Sequence, residues 1–237
     1  MRPITFLAYK WRAHPKYRYS FNASHVNVLA RMIRRNFAHP HRFVCYTDEP
    51  GGVDPDVVDV REIWTDHAEL ANYPRVSPAG FRRLKMFSRD AEEWLGERVV
   101  MMDLDTVITG DLTPIVDRPE PFVANKGAIP TMAYNSGLIM FTTGARPQLW
   151  EEFDPVESLA FIRSHDLPHT DDGWMCAKLG PDEAKFGPDN GVYSFRNDLL
   201  KKRDTLPENA AIVTFEGWDN PDGPVAQQFE WVRRNYR

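Results

Sequence analysis

The sequence has little cysteine and no long apolar run. Its two cysteines, Cys45 and Cys176, are too few for a disulfide framework. No apolar stretch approaches the ~18 to 20 residues that a membrane helix requires, so we expect no transmembrane segment. The opening residues also lack the apolar core of a signal peptide. The simplest expectation is a cytoplasmic protein that folds without disulfides.

An excess of basic residues is also missing. The chain carries 29 Lys and Arg against 34 Asp and Glu, which gives a formal net charge of -5. Binding to duplex nucleic acid normally depends on a strongly basic face. The composition therefore disfavours duplex nucleic acid as the main partner.

What the sequence does contain is enough apolar material for one sizeable core. It has 237 residues, of which 42% are hydrophobic. We find no internal repeat, no low-complexity segment and no shift in composition that would indicate a linker. One domain is the better prediction.

Short apolar runs alternate with helical patterns, which predicts an α/β fold. The predicted strands are residues 4–9, 42–46, 57–63, 99–102, 137–141, 192–195 and 211–215. Asn22 or Ser24 can cap a first helix, whose apolar stripe is Val26, Leu29, Ile33 and Phe37. A second stripe predicts one helix over residues 81–94 that ends at Gly96, and further helices are predicted at 147–153, 158–163 and 171–179.

Two carboxylates directly follow the apolar run at 99–102. Asp103 and Asp105 flank Leu104, and the period of a strand turns both carboxylates to one side. An isolated Asp-X-Asp is usually a solvated turn. Here it ends a central strand, where open α/β sheets bind ligands, and carboxylates are the ligands that Mg²⁺ and Mn²⁺ prefer. The pattern favours a divalent cation site.

The residues around these aspartates, VVMMDLDTVITGDLTPI, resemble the metal-binding segment of GT-A nucleotide-sugar-dependent glycosyltransferases. The likeness is strongest to the glycogenin-like group, glycosyltransferase family 8, and its bacterial relatives. Similar segments follow the same order over Ile4 to about Pro224: Tyr9-Lys10-Trp11 with Lys16-Tyr17, Val26-Asn27-Val28-Leu29 leading to Arg34-Arg35-Asn36, Phe43 to Asp48, Arg83-Leu84-Lys85, Asn135-Ser136-Gly137 and Asp171-Asp172-Gly173-Trp174. Each motif is short, so the strength of the resemblance lies in their order.

The resemblance implies a single GT-A-like domain over residues 1–237, with a mostly parallel central sheet flanked by helices. Residues from about 1 to 115 would form the nucleotide- and metal-binding half. Residues from about 116 to 237 would form the half for the donor sugar and the acceptor.

The resemblance also implies an activity and a set of residues. The activity is transfer of a hexose from a nucleoside diphosphate sugar, with UDP expected, to an acceptor hydroxyl on a glycan, a lipid-linked sugar or another molecule, with retention of configuration. The implied metal ligands for Mn²⁺ or Mg²⁺ are Asp103 and Asp105, and the implied catalytic residues are Asp171, Asp172 and Asn135. The implied donor-binding residues are Ala8, Tyr9, Lys10, Trp11, Asp48, Arg83, Lys85, Leu104, Ser136 and Gly217.

Two departures from the family leave alternatives open. The family's late strand supplies a His as third metal ligand, but residues 212–217 contain none. Thr214 and Glu216 share a face, so Glu216 could take this role, or two aspartates could hold the ion alone. Asp172 stands where the family has Gln, which leaves open whether Asp171 or Asp172 approaches the anomeric carbon.

Two other functions compete with this one. The missing His would also suit a non-catalytic module that binds nucleotide sugars. A nucleotidyltransferase also uses carboxylate-bound metal, but it usually has a Gly-rich phosphate loop after its first strand, and residues 10–20 contain no glycine. Release of UDP from a UDP-sugar would separate an enzyme from a binding module.

Overall fold

The computed structural model describes residues 3–12, 14, 19–72, 80–201, 205–217 and 219–237, without the side chains of residues 71 and 72. Lys16 and Tyr17, which the sequence groups with Tyr9, lie outside the described residues.

Ten strands of the described chain form a central sheet and a smaller side sheet. In chain order they are β1 (Ile4–Lys10), β2 (His41–Thr47), β3 (Asp59–Glu62), β4 (Arg98–Met102), β5 (Val107–Ile108), β6 (Phe122–Lys126), β7 (Tyr134–Thr142), β8 (Ala184–Phe186), β9 (Val192–Ser194) and β10 (Ile212–Thr214). The central sheet has the order β3-β2-β1-β4-β7-β6-β8, and only β7 runs against its neighbours. The side sheet has the order β5-β10-β9.

Helices and tighter turns connect these strands. The helices are α1 (Ala23–Asn36), α2 (Ala91–Leu95), α3 (Thr113–Val116), α4 (Gln148–Glu151), α5 (Glu157–Ser164), α6 (Asp171–Leu179) and α7 (Glu230–Asn235). Gly80–Phe87, Ala68–Asn72, Pro188–Asn190 and Ala226–Gln228 are 3₁₀ turns, and Phe195–Leu199 is a π turn. None of the helices in the described residues has the length and apolar character needed to cross a bilayer.

The central sheet is buried on both faces. Along β1, Phe6 packs into the core on the α1 side, whereas its neighbour Leu7 packs into the core on the opposite face. Val100 and Val99 of β4 divide in the same way. This two-sided burial explains why these strands appear in the sequence as continuous apolar runs. The predicted α/β fold with a mostly parallel sheet flanked by helices is confirmed.

The second helical stripe is where the prediction of local structure is wrong. Instead of one helix over 81–94, the chain forms the 3₁₀ turn Gly80–Phe87 and then the separate helix α2. Phe81, Leu84 and Phe87 are three residues apart, which matches the 3.0-residue period of a 3₁₀ helix and places all three in the core. The prediction also misses β5, β6, β8, α3 and α7, which are too short to show a clear period.

Candidate functional site

A cavity of about 240 Å³ lies where β1, β4 and β7 meet at one edge of the central sheet. We call it the central cavity. It is lined by Tyr9, Lys10, Trp11, Tyr19, Phe21, Gly80, Arg83, Asp103, Leu104, Asp105, Asn135, Ser136, Thr170, Asp171 and Asp172. Most residues that the sequence predicts for the site therefore come together here.

The direction of the strands explains this convergence. β1 and β4 are parallel neighbours, so Lys10 and Asp103, at or just after their carboxyl ends, reach the same edge. β7 is antiparallel to β4, so its first residues rather than its last lie at that edge. The backbone N–H of Asp103 donates to the Gly137 carbonyl over 2.8 Å, which joins the two motifs directly.

The Arg83 guanidinium is at the centre of the site. Its Nη1 lies 2.5 Å from Asp103 Oδ1, and its Nη2 lies 2.5 Å from Asp171 Oδ2. Nε lies 3.1 Å from the same Asp171 oxygen, and Nη2 also donates to Ser136 Oγ over 2.6 Å. One buried side chain thus links β4, β7 and α6.

Arg83 is a fixed positive charge. Burial by itself would lower its pKa, but the surrounding carboxylates of Asp103, Asp171 and Asp172 outweigh burial and raise the pKa above its usual value. The planar guanidinium reaches several carboxylates at once, which a lysine ammonium on a flexible stem would not reproduce.

Asp171 has its carboxylate committed to Arg83. The residue is buried, with 5% of its surface exposed, and the 3₁₀ turn presses against it. A Cβ placed on Gly80 would lie 2.1 Å from Asp171 Oδ1, so only glycine permits this approach. The arrangement makes Asp171 a support for Arg83.

Asp172 is more open to the cavity. Its Oδ1 accepts from the Ser136 backbone N–H over 2.5 Å, and its Oδ2 lies 3.5 Å from Asn135 Nδ2. Burial, followed by the charge of Asp171, raises the pKa of Asp172 to about 7. This carboxyl can therefore carry or release a proton near neutral pH.

Asp103 and Asp105 fit a divalent cation. Both carboxylates line the central cavity. Burial raises the pKa of Asp105 well above its usual value, and the charge of Asp103 raises it further. Burial also raises the pKa of Asp103, against the effect of Arg83. Within the described chain Arg83 forms an ion pair with Asp103, and no cation forms one with Asp105. A hard ion held by two carboxylates completes its shell with water and phosphate oxygens.

The described residues supply no third protein ligand beside this pair. Among the residues that the structure describes, no three carboxylate, imidazole or thiolate side chains are placed to hold a metal ion. Glu216 Oε1 accepts from Thr214 Oγ1 over 2.9 Å, and Glu216 Oε2 accepts from Ser194 Oγ over 2.8 Å. Burial raises the pKa of Glu216, while these two hydroxyl groups lower it.

Glu216 lines a different, larger cavity of about 790 Å³, which we call the lateral cavity. Its other walls come from residues 125–133 and from parts of residues 181–198. The charge of Glu216 still contributes to the raised pKa of Asp105, so the two cavities are near neighbours. The structure places Glu216 beside the central cavity and not in its lining.

Lys85 and Asp48 also lie outside the lining. Lys85 Nζ lies 2.9 Å from Asp66 Oδ2 and 5.6 Å from the ring centres of both Trp64 and Trp150. Asp48 accepts from the Arg12 backbone N–H over 2.7 Å, beside the end of β1. The partners of Lys85 thus lie outside the central cavity, and Asp48 holds the backbone at Arg12.

Ala8 and Gly217 complete the set outside the lining. Ala8 is fully buried in β1, where its register partner is Cys45. Gly217 has a φ of +75°, and a Cβ there would lie 3.2 Å from an Arg196 guanidinium nitrogen. Ala8 is thus part of the sheet, and Gly217 occupies a backbone conformation that favours glycine.

Four lining residues were missed by the sequence interpretation: Tyr19, Phe21, Gly80 and Thr170. Thr170 caps α6 by accepting from the Gly173 N–H over 3.0 Å, and a threonine before Asp171-Asp172 is a usable capping signal. Tyr19 carries no comparable local signal, because its partner Asp222 is 203 residues away.

Comparisons with known proteins identify the fold. No protein-family model matches the chain, and no curated protein matches it either. The structure is similar to the galactosyltransferase LgtC in complex with donor and acceptor sugar analogues, with a TM-score of 0.60 and 14% identity over 98% of this chain and 93% of that one. An active-site mutant of LgtC gives a TM-score of 0.61 with 14% identity, over 98% and 95% of the two chains.

A third similar structure is the apo-form glycosyltransferase GlyE of Streptococcus pneumoniae TIGR4. Its TM-score is 0.59 at 11% identity, over 98% of this chain and 60% of GlyE. At these identities the likeness demonstrates the fold, and the predicted GT-A architecture is confirmed.

Proposed function

We propose that this protein is a glycosyltransferase that moves a sugar from a nucleoside diphosphate donor, with UDP expected, to an acceptor hydroxyl. The observation that carries the proposal is the meeting of Arg83, Asp103 and Asp171 within hydrogen-bond distance in one cavity. These residues come from three separate motifs of the sequence. The fold around them is shared with LgtC, a galactosyltransferase solved with donor and acceptor sugar analogues.

The central cavity offers separate surfaces to the parts of such a donor. Tyr9 and Trp11 line the cavity with ring centres 6.3 Å apart, and a nucleobase can stack on aromatic rings of this kind. Arg83, Asp103 and Asp105 form the charged part, which suits a diphosphate. We place the donor between these surfaces.

Asp103 and Asp105 would hold a divalent cation. When bound, such an ion would neutralise the charge that develops on the departing diphosphate. Arg83 contributes a second, permanent positive charge at the same place, already oriented by Asp171 and Ser136. Stabilisation of the leaving group is thus the main task that we assign to this part of the cavity.

Asp172 and Asn135 would face the sugar. Of the two adjacent aspartates, Asp172 is the one that Arg83 leaves open, so we assign it to the sugar and its cationic transition state. Asn135 is within reach of the same carboxylate. Retention of configuration is expected from the family resemblance, and the anomeric proton coupling of the product would measure it.

We assign the acceptor to the lateral cavity. All of its lining residues belong to the predicted 116–237 half, and Glu216 in its wall lies close enough to Asp105 to affect that carboxyl. An acceptor hydroxyl entering there would approach the donor from the side of Asp105.

Calorimetry with UDP and other nucleoside diphosphates, with and without Mn²⁺, tests the donor assignment. We expect metal-dependent binding of UDP, release of UDP from a UDP-sugar, and loss of the metal dependence in Asp105→Asn. Asp56→Asn removes an exposed carboxylate away from the cavity and should bind as the wild type does. If no nucleoside diphosphate binds under any of these conditions, the proposal is wrong.

A non-catalytic module that binds nucleotide sugars is a second candidate. It is favoured by one observation, which is that no third ligand joins Asp103 and Asp105 in the described part of the chain. The glycosyltransferase and the binding module differ in whether they turn over a UDP-sugar. A binding module would retain an intact UDP-sugar in the presence of Mn²⁺, whereas the enzyme would release UDP.

A further inference from the structure

Two neighbouring polar side chains, Tyr19 and His25, form a hydrogen-bonded cluster with the distant Asp222 at one wall of the central cavity. The Tyr19 hydroxyl lies 2.7 Å from His25 Nε2 and donates to Asp222 Oδ2. His25 Nε2 lies 3.2 Å from the same Asp222 oxygen. We call these residues the Tyr19 cluster.

The hydrogen bonds on the other side of His25 fix its tautomer. The Asn22 backbone N–H lies 3.0 Å from His25 Nδ1, and since an N–H can only donate, Nδ1 must accept. Asn22 Oδ1 is 3.1 Å from the same nitrogen, but it already accepts from the N–H and the hydroxyl of Ser24. The ring proton therefore lies on Nε2, between Tyr19 and Asp222. Both ring nitrogens of His25 thus have protein partners, which suits a support better than an acid or base.

Asp222 lies in a hydrogen-bonded turn. The turn around it is closed by a bond from the Gly223 N–H to the Asn220 carbonyl, 2.9 Å long, and by a bond of 2.6 Å from Gln227 Nε2 to the Pro221 carbonyl. His25 lies in the first turn of α1, and the C-terminal segment 219–237 is anchored there through Asp222.

The same segment is anchored at the other end of α1. Arg35 donates to the carbonyls of Asn235 and Arg237 over 2.7 and 2.6 Å. The C-terminal segment therefore spans the length of α1 and brings a defined carboxylate to Tyr19.

Tyr19 and Phe21 together form the aromatic wall that this cluster supports. Their ring centres are 4.9 Å apart, and both residues line the central cavity. Burial raises the pKa of the Tyr19 hydroxyl, its bond to Asp222 raises it further, and Asp105 adds a smaller effect. Asp105 belongs to the lining of the same cavity.

We propose that Asp222 and His25 are positioning residues for the donor, which hold the Tyr19 and Phe21 rings as an aromatic wall of the nucleotide-sugar site. The inference rests on the proposed function. A wall of this kind contacts the donor equally before and during reaction, so its loss raises the donor KM and leaves kcat nearly unchanged. Loss of general stability would instead reduce the active fraction, and hence kcat.

The first test needs no ligand. Asp222→Ala should increase the hydrogen-exchange rate of the Asn22 amide, because that amide is held by His25. Glu230→Ala removes an exposed carboxylate from the same C-terminal segment and should leave this amide protected. Unchanged protection in Asp222→Ala would overturn the positioning role, whatever the protein binds.

The second test measures UDP affinity and donor KM. Asp222→Ala and Tyr19→Phe should each lower the UDP affinity and raise the donor KM by about fivefold, as expected when one hydrogen bond is lost. The double variant should bind UDP no more weakly than the weaker-binding single variant. Asp222→Asn can still accept from the Tyr19 hydroxyl and should restore part of the affinity. The inference would be overturned if the effects of the two substitutions on UDP affinity added up in the double variant. It would also be overturned if Asp222→Ala had the donor KM of the wild type.

The two tests separate the inference from the proposed function. If the wild type binds no nucleoside diphosphate, the donor assignment fails and this inference fails with it. This holds even if the Asn22 amide exchanges faster in Asp222→Ala. If the wild type binds UDP and the variants bind it equally well, only the inference fails.

Discussion

Two adjacent aspartates take different places at the site. Asp171 is buried and bonded to Arg83, whereas Asp172 is bonded to the Ser136 N–H and faces the cavity. Asp172→Asn should therefore lower kcat for sugar transfer by about 10²-fold or more, while UDP affinity stays within about twofold. Steady-state kinetics together with calorimetry would measure both effects.

The matched change at Asp171 should behave differently. Asp171→Asn removes the charge that balances a buried guanidinium, so we expect a loss of stability on the order of 3 kcal/mol and weaker UDP binding. Equal effects of the two substitutions on kcat and on stability would contradict this division of roles. Urea unfolding of both variants supplies the comparison.

The raised pKa of Asp172 predicts how stability depends on pH. Its pKa is about 7 in the folded protein, above the ~3.9 of an unfolded aspartate, so the folded state binds more protons between these values. The free energy of unfolding should therefore fall as pH rises from about 4 to about 7. The side chain of Asp172→Asn stays neutral at every pH, so this variant should not show the part of the fall that Asp172 causes. The difference in free energy of unfolding between variant and wild type should therefore favour the variant more at pH 8 than at pH 5. Parallel pH profiles of the two proteins would contradict the assignment.

Among the elements, the contact between the 3₁₀ turn and α6 depends on one glycine. Because a Cβ at Gly80 would overlap Asp171 Oδ1, Gly80→Ala should push Asp171 away from Arg83. We expect a loss of UDP affinity of about tenfold, comparable to breaking one charged hydrogen bond. Gly51→Ala, where a Cβ meets no atom within 4 Å, is the matched control and should bind UDP normally. Calorimetry of both variants provides the test.

The elements also show how far the sequence predicts the fold. The bounds of α6 are predicted correctly, since the pattern begins at Asp171 and Gly180 ends it with a φ of +70°. β1, β2 and β4 are recovered because strands buried on both faces are continuous apolar runs. The 3₁₀ turn is missed because its three-residue spacing resembles one side of an α-helical stripe.

The site is only partly predictable for a different reason. The motifs of Asp103 and Asp171 can be recognised locally, but the bond from Arg83 to Asp171 joins residues 88 positions apart. The same is true of Lys85. Its partner Asp66 lies 19 positions away and could not be identified from the sequence pattern. Local patterns identify candidate residues, while their partners depend on how the elements pack.

At the scale of the whole molecule, the two cavities should respond separately to substitution. Glu216 lines the lateral cavity and is bonded to Thr214 and Ser194. We therefore expect Glu216→Gln to raise the acceptor KM by about threefold or more, in proportion to a weakened hydrogen bond, and to leave Mn²⁺-dependent UDP binding unchanged. Weakened UDP binding with altered metal preference would instead identify Glu216 as a cation ligand.

The position of Arg83 has a consequence for how the protein copes with a shortage of metal. Asp103, Asp171 and Asp172 would repel one another without a nearby positive charge, and the Arg83 side chain supplies that charge. We therefore expect folding to be independent of metal supply, unlike that of domains whose structure is built around an ion. Treatment with EDTA should leave the melting temperature unchanged while abolishing metal-dependent binding. Under the proposed metal-dependent activity, a cell could then keep a reserve of intact, idle protein until the ion is available.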